Sequence, residues 1–374
     1  MTRLIELLIS LAIVAALFLI IGVVLPSSRH LKHSVETNRK LTIVYDTLNS
    51  LRRFPAWHPI AAKDPAMKIK LSGPQEGVGA QLDYSSQERG LGEGSWKIVE
   101  SEPNRRVAYE ITSIERGENK RSQFLLRPTG RNNRNVEITQ TYDVDYGWNL
   151  LGRYAGLYVS SNVGEDMKLG LARLSNMLAS VPNIDYTELA KSDASMVPRL
   201  VERPAENLLV VTAAVERNNE VVRTTMTNNM QWIQKVMAAN NLEAAGPVRI
   251  ITNEMGVDSY SFDVAQPVRK RGATAATAKD GEPAAAAAAQ PAASGKLDIK
   301  LEGPVTAEYL EPSRVATMPY TGHMANLPNV RDAVRGWAMT RGYETVGRPY
   351  ESWNSGISAS FTPEGKFDVY WTIK

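Results

Sequence analysis

Residues 106–144, RVAYEITSIERGENKRSQFLLRPTGRNNRNVEITQTYDV, decide the fold of the first half of the chain. Within them, three runs rich in β-branched and aromatic residues (106–114, 123–127 and 135–144) are separated by turns that contain glycine. This pattern predicts short strands joined by tight turns. Three similar runs precede them, at residues 67–71, 80–85 and 95–100. We therefore expect an antiparallel sheet built from successive hairpins.

Helical periodicity flanks these strands on both sides. A short candidate strand at 33–37 is followed by a helical stretch whose apolar residues recur every three or four positions from Leu41 to Leu51. After the strands, residues 165–181 place Met167, Leu171, Leu174 and Leu178 on one helical face. Such a face needs a sheet to cover, so the pattern predicts an α+β unit that ends in a long helix.

Composition limits the classes of function. A length of 374 residues suggests two folded units, and 43% hydrophobic with 22% charged residues excludes a mainly disordered chain. The chain has no cysteine, which excludes disulfides, thiolate zinc sites, iron–sulfur clusters and a cysteine nucleophile. Of four histidines, His30 and His33 stand three apart without a third ligand. We expect no metal and no cofactor, and a net charge of +3 is too small to indicate nucleic acid.

The amino-terminal segment, residues 4–25, is almost wholly apolar and predicts a single transmembrane helix. At 1.5 Å per residue it is long enough to cross a hydrocarbon core of about 30 Å. The alternative is a cleaved signal peptide, but the apolar stretch exceeds the usual 7 to 15 residues of a signal core, and the sequence near Pro26 offers no clear A-x-A cleavage site.

More cations follow this segment than precede it, which bears on its orientation. Arg3 lies before the span, and four cations lie after it: Arg29, Lys32, Arg39 and Lys40. The positive-inside rule then predicts that the soluble domains of this single-pass protein are cytoplasmic. The lipid bilayer is an expected partner. These four cations either bind anionic lipid headgroups or form a solvated flank of the span.

The second half repeats one element order, strand–helix–strand–strand (βαββ). The first copy is predicted at 208–215, 221–239, 248–253 and 259–264, and the second at 313–318, 329–340, 349–353 and 367–373. Phe262-Asp263-Val264 parallels Phe367-Asp368-Val369, and matches in order and position predict a duplication. Residues 182–203 are predicted to be a linker, and the Ala/Pro-rich residues 270–296 a flexible insertion.

Several motifs in residues 31–181 resemble those of bacterial SRPBCC proteins, the START-like group often labelled polyketide cyclase/dehydrase. They include Phe54-Pro55-Ala56-Trp57-His58-Pro59, Leu71-Ser72-Gly73-Pro74, Gly90-Leu91-Gly92-Glu93-Gly94 and the helix start at Gly164-Glu165-Asp166-Met167. Ile60 departs from the pattern, since many relatives carry a second aromatic residue there. The resemblance implies a protein of a bacterial inner membrane. It also implies a helix-grip fold whose cavity, between curved sheet and last helix, holds an apolar or aromatic ligand. The candidate wall residues of this cavity are Trp57, Tyr84, Trp96, Tyr109, Phe124, Tyr142 and Trp148. The alternative for each is that it simply fills the core.

Residues 204–374 resemble the gyrase-inhibitor-like domains, also known as the effector-binding domains of AraC-type regulators. The resemblance rests on the duplicated unit and on Gly-Tyr-Glu-x-x-Gly-x-Pro at residues 342–349. It implies a cleft between the copies that binds cationic or aromatic molecules, with an acidic residue on the last strand. Asp368 takes that place. Here Asp replaces the Glu of the family, and Phe367 replaces its Thr. The alternative is that Asp368 is a structural carboxylate. The candidate aromatic neighbours are Tyr320, Trp337, Tyr350 and Trp353.

Three hypotheses for the function follow. The first is a membrane-anchored binding protein for hydrophobic, aromatic or amphipathic small molecules, acting as carrier, sensor or scavenger. The second is an enzyme, a cyclase or hydrolase of a small aromatic or polyketide-like compound, with His58 or Asp368 transferring protons. The third is an envelope-associated structural protein. We expect no catalytic residue, because His58 has no identifiable carboxylate partner, and the lack of a helix-turn-helix motif argues against DNA binding.

Overall fold

The computed structural model describes residues 2–272 and 295–374, which fall into two compact units. The first is Met1–Asn183 with Thr340–Gly342, and the second is Ile184–Met339 with Tyr343–Lys374. Most of the insertion predicted at 270–296 lies outside the described residues.

The chain begins with helix α1 (Thr2–Val24), which is apolar on every side and almost entirely exposed. Its segment Arg3–Val24 contains an 18-residue window with a mean hydropathy of 3.1 and is long and apolar enough to cross a membrane. A signal sequence has the same properties, so the structure alone assigns an apolar amino-terminal helix.

The sheet of the first unit is antiparallel throughout and curls around a helix. Its strands are β1 (Ser28–Thr37), β2 (Lys68–Ser72), β3 (Gln81–Ser85), β4 (Glu93–Glu102), β5 (Arg106–Thr112), β6 (Glu118–Thr129) and β7 (Asn135–Asp145). Their spatial order is β1-β7-β6-β5-β4-β3-β2, so successive strands form hairpins and β1 joins the far edge. Strand β1 is longer than predicted, because all ten of its residues pair with β7, from Ser28 opposite Asp145 to Thr37 opposite Val136.

Five helices accompany this sheet, and the last one covers it. They are α2 (Leu41–Leu48), α3 (Phe54–Trp57), α4 (Ile60–Lys63), α5 (Leu150–Ala155) and α6 (Val159–Ala179). The predicted apolar face of α6 is confirmed, since Met167, Leu171, Leu174 and Leu178 are all buried. Helix α5 was not predicted; Asn149 caps it by accepting a hydrogen bond from the amide of Gly152. The resulting order fits an SRPBCC-like fold.

The second unit begins inside the predicted linker. Helix α7 (Tyr186–Ser192) and strand β8 (Arg199–Arg203) both lie within residues 182–203. Strand β8 has no strong apolar pattern of its own and is held by pairing with a strand more than a hundred residues later. The following elements are β9 (Glu206–Glu216), α8 (Asn219–Ala239), β10 (Leu242–Ala244), β11 (Arg249–Met255), β12 (Ser259–Lys270), β13 (Thr306–Leu310), β14 (Ser313–Thr321), α9 (Leu327–Thr340), β15 (Thr345–Trp353), α10 (Gly356–Ser360) and β16 (Lys366–Ile373).

These strands form one sheet in the order β13-β9-β12-β11-β15-β16-β14-β8, with β10 paired to β12. The order strand–helix–strand–strand occurs in β9-α8-β11-β12 and again in β14-α9-β15-β16, apart from the short β10 in the first set and the short α10 in the second. Strands β11 and β15 pair antiparallel at the centre. The origin of this arrangement by duplication stays a prediction.

Candidate functional site

A cavity of about 110 Å³ lies in the first unit, between the curled sheet and helix α6. Four predicted aromatic residues line it: Trp57 from α3, Tyr84 from β3, Trp96 from β4 and Tyr142 from β7. Met167 of α6 contributes to the opposite wall. The cavity therefore has aromatic side chains from both the sheet and the helical layer.

The other predicted wall residues lie elsewhere. Tyr109 and Phe124 are fully buried behind the lining, each with its ring edge-on to other aromatic rings of the cluster. The Tyr109 hydroxyl donates a hydrogen bond to the carbonyl of Leu48, and burial raises the pKa of this phenol. Trp148 is 80% exposed. Tyr109 and Phe124 thus support the lining from the core, and Trp148 belongs to the surface.

The sequence Phe54-Pro55-Ala56-Trp57-His58-Pro59 positions two side chains of the wall. Pro55 suits the first turn of α3, where its missing N–H has no helical partner. Pro59 disfavours helical geometry at the residue before it, and His58 is accordingly extended with ψ 133°. Helix α3 therefore ends at Trp57. The His58 ring stacks on Phe54 at 4.3 Å and meets the Trp96 ring edge-on at 4.8 Å.

His58 lines the cavity as a neutral ring. Its Nδ1 accepts a hydrogen bond from the backbone amide of Ile60 at 3.3 Å, which leaves the proton of the neutral imidazole on Nε2. Burial, assisted by the nearby cations Lys63 and Arg173, lowers the pKa of His58 to about 3. A base with so low a pKa is a poor proton acceptor at neutral pH.

Two residues of the cavity wall each carry a buried polar atom that has no hydrogen-bond partner among the described residues. These atoms are the indole Nε1 of Trp57, a donor, and the amide Oε1 of Gln140, an acceptor. Gln140 is held in place because its Nε2 donates to Ser122 Oγ at 3.0 Å. Leaving a buried polar group unpaired costs about 1–3 kcal/mol, so each atom would gain from a hydrogen-bond partner.

The mouth of the cavity is polar and charged. Lys63 of α4 and Asp166 of α6 both contribute to the lining and form an ion pair at 2.5 Å. Glu115 also lines the cavity. Burial raises the pKa of Tyr84 and of Tyr142, and the negative charge of Glu115 raises both pKa values further. Both phenols therefore stay neutral at pH 7. The arrangement can bind a ring with a few polar substituents, inside apolar walls with a charged rim.

Sequence reasoning missed Gln140 and Glu115. A signal for Gln140 was present: it precedes Tyr142 by two positions on β7, so both side chains point to the same face of the sheet. A polar residue at an inward position of an otherwise apolar strand face is a candidate ligand contact.

The candidate site in the second unit is divided by the sheet. Asp368 lies opposite Pro319 and Ser352 and accepts a hydrogen bond from the Asn354 amide at 2.8 Å. Tyr350 pairs with Tyr370, two residues after Asp368, and therefore shares its face.

The remaining predicted neighbours do not join Asp368. Tyr320 and Trp353 contact Phe367, with ring centroids 5.8 Å and 5.4 Å apart, and lie on the opposite face of the sheet. Trp337 belongs to α9, which packs on that opposite face. The contact is a hydrogen bond from the Trp371 indole to the backbone carbonyl of Arg331 in α9, at 3.0 Å. Of the four predicted aromatic neighbours, the sheet register places only Tyr350 on the face of Asp368.

Comparison with known proteins finds one family model that matches part of the first unit. Residues 28–178 match the family model described as "Polyketide cyclase / dehydrase and lipid transport". No curated protein matches the chain significantly. The resemblance of the second unit to gyrase-inhibitor-like domains stays a prediction.

Three solved structures are similar to parts of the chain at low sequence identity. Truncated norcoclaurine synthase from Thalictrum flavum is 12% identical over 41% of this chain and 94% of that chain, with a TM-score of 0.32. The protein CV1439 from Chromobacterium violaceum is 13% identical over 41% of this chain and 98% of that chain, with a TM-score of 0.30. The C-terminal domain of EcmrR is 15% identical over 48% of this chain and 97% of that chain, with a TM-score of 0.34.

Proposed function

We propose that the first unit binds a small, uncharged, single-ring aromatic molecule and that α1 holds this binding unit at a membrane. The observation that carries the proposal is that two residues lining one aromatic cavity hold unpaired polar atoms, a donor on Trp57 and an acceptor on Gln140. The role is that of a carrier, sensor or scavenger.

The size of the cavity favours one ring. An apolar cavity of about 150 Å³ binds benzene, whereas drug-sized ligands occupy about 300–1,000 Å³. At about 110 Å³, the cavity suits one ring far better than a fused polyketide. The polar atoms of the wall favour a ring that carries both an acceptor for Trp57 Nε1 and a donor for Gln140 Oε1.

The low pKa of His58 favours binding over proton-transfer chemistry. Its imidazole is neutral at physiological pH and donates only from Nε2, because Nδ1 already accepts the amide of Ile60. Such a group recognises a ligand acceptor more readily than it removes a proton. This separates the binding proposal from the cyclase or hydrolase alternative.

Calorimetric titration of the detergent-solubilised protein with benzamide and toluene tests the proposal. Benzamide offers a carbonyl acceptor and an N–H donor on one ring, and toluene offers neither. We expect Gln140→Leu to weaken benzamide binding about tenfold, the equivalent of one lost hydrogen bond of about 1.4 kcal/mol, and to leave toluene binding unchanged.

The matched control is Gln266→Leu, a buried glutamine of the second unit whose amide already donates to the carbonyls of Gly246 and Pro267. It should leave both affinities unchanged. Failure of both compounds to bind, or equal loss of both in Gln140→Leu, would contradict the proposed recognition.

A further inference from the structure

An exposed apolar surface lies beside the carboxyl end of α1. It consists of Trp148, Leu151, Leu157 and Tyr158, which are 80%, 54%, 48% and 66% exposed. All four come from one segment of eleven residues around helix α5, and we call them the α5 surface. A contiguous exposed patch of large apolar side chains on a folded unit marks a site of interaction with a protein or a membrane.

Arg153 of α5 fastens this segment to the end of α1. Its Nη1 donates to the carbonyls of Gly22, Val23 and Leu25 at 3.3, 2.7 and 3.2 Å. Carbonyls in the last turn of a helix have no partner within the helix, so a guanidinium satisfies them where water is scarce. The same guanidinium lies 5.3 Å from the centre of the Trp148 ring. The α5 surface is therefore held next to the last turn of α1.

A second set of contacts extends this attachment further along α1. The Phe18 and Tyr154 rings stack at 4.4 Å, and the Tyr154 hydroxyl donates to the carbonyl of Phe18 at 2.7 Å. Gly22 permits the close approach, because a Cβ atom there would lie 3.2 Å from Leu150 Cβ and 3.3 Å from the Tyr154 ring. Helix α5 thus packs along the last two turns of α1.

The position of these contacts along α1 indicates what covers the α5 surface. At 1.5 Å per residue, the distance along α1 from Phe18 to Val24 is about 9 Å. In a span that just crosses a hydrocarbon core of about 30 Å, these residues occupy the last part of the core, up to its boundary with the headgroups. Amphipathic interfacial segments bury their apolar face about 5–10 Å into this boundary, where Trp and Tyr are enriched.

We infer that the α5 surface inserts into the bilayer interface as a second membrane contact beside α1. This inference rests on the proposed membrane location of α1. One helix alone leaves a tethered domain free to swing, whereas a span and an adjoining interfacial surface fix its orientation. The first unit then meets the bilayer with the start of α6, next to which Val163 and Asp166 line the cavity.

Single-cysteine labelling tests the inference on the full chain, which has no native cysteine. Leu151→Cys and Leu157→Cys carry a fluorophore in phosphatidylcholine vesicles that contain lipids with nitroxide near the headgroup or deep in the acyl chain. Val78→Cys, which replaces an apolar residue 60% exposed in the turn between β2 and β3, is the matched control, and Ile13→Cys reports on α1. We expect shallow nitroxide to quench positions 151 and 157 at least threefold more than position 78, and deep nitroxide to quench position 13.

The outcomes separate the two ideas. If position 13 is quenched by deep nitroxide while positions 151 and 157 respond to aqueous iodide as position 78 does, the interfacial contact is refuted and the anchor remains. If position 13 is also accessible to iodide, the membrane location fails as well. Removing the attachment with Arg153→Ala should reduce the shallow quenching at position 151 without changing the deep quenching at position 13; equal quenching in both proteins would overturn the role given to Arg153.

Discussion

The backbone amide of Ile60 donates a hydrogen bond to Nδ1 of His58 at 3.3 Å. The bond forms because Pro59 turns the chain directly after His58, so that the amide two residues later returns to the ring. It requires an unprotonated Nδ1, and burial together with Lys63 and Arg173 lowers the pKa of the ring to about 3. His58 therefore links the stability of the first unit to pH.

Acidification should destabilise the first unit through His58. The folded pKa is about 3 and the unfolded value is about 6.5, so the unfolded chain binds the extra proton between these limits. The stabilisation is complete above pH 6.5 and is lost as the pH falls towards 3, by at most about 1.4 kcal/mol per pH unit. Hydrogen exchange of β6 and β7 amides from pH 7 to pH 4.5 measures it. His58→Gln should show a shallower decline, and equal slopes would count against this assignment.

Two glycines of α6 should respond differently to alanine. A Cβ at Gly164 meets ordinary contacts of 3.5 Å or more, whereas one at Gly170 lies 3.2 Å from Cδ of Pro59, beside the cavity wall. Gly164→Ala should stabilise the unit by about 0.5–1 kcal/mol, since alanine favours a helix interior over glycine. Gly170→Ala should lose that gain, because Pro59 must move. Thermal unfolding of both variants checks the difference, and equal stabilisation would mean that the helix packs less closely on Pro59.

Local patterns predicted much of this fold because they reflect local causes. The face of α6 and the hairpins from β2 to β7 follow from apolar spacing and turn residues. Strand β8 and the first half of β1 depend on hydrogen bonds from distant strands, which no local pattern records. The same limit applies to the second site. Alternation shows that Phe367 and Asp368 face opposite ways, but only the register of β15 reveals that Trp353 lies beside Phe367.

The register also sharpens the prediction for Asp368. The tyrosines on its face are already covered by cations of the protein, with Arg249 4.5 Å from the Tyr350 ring and Arg203 4.9 Å from the Tyr370 ring. An anchoring role for Asp368 predicts that Asp368→Asn weakens the binding of aromatic cations, by about 1.5–3 kcal/mol for a lost charge-assisted contact, with stability kept. Tetraphenylphosphonium titration followed by fluorescence measures this. Unchanged binding, or none in the parent, would leave Asp368 with only its hydrogen bond from Asn354.

The last prediction concerns a buried ion pair in the second unit. Glu351 of β15 is fully buried and bonds to Arg331 of α9, itself 8% exposed. Burial lowers the pKa of Arg331, but the carboxylate of Glu351 outweighs this effect and raises the pKa, so the guanidinium stays charged. Removing one partner leaves a buried charge unpaired, and Glu351→Gln should cost about 3–5 kcal/mol of unfolding free energy.

The double variant Arg331→Met/Glu351→Leu distinguishes the value of the pair from the cost of breaking it. An apolar pair has no charges to remove from water when the protein folds. This variant should therefore unfold at or above the unfolding temperature of the parent. Glu188→Gln, which breaks the exposed pair with Lys191, is the control and should leave the transition unchanged. Calorimetry of the four proteins tests all three expectations. A double variant as unstable as Glu351→Gln would show instead that the ion pair itself contributes net stability to the contact between α9 and the sheet.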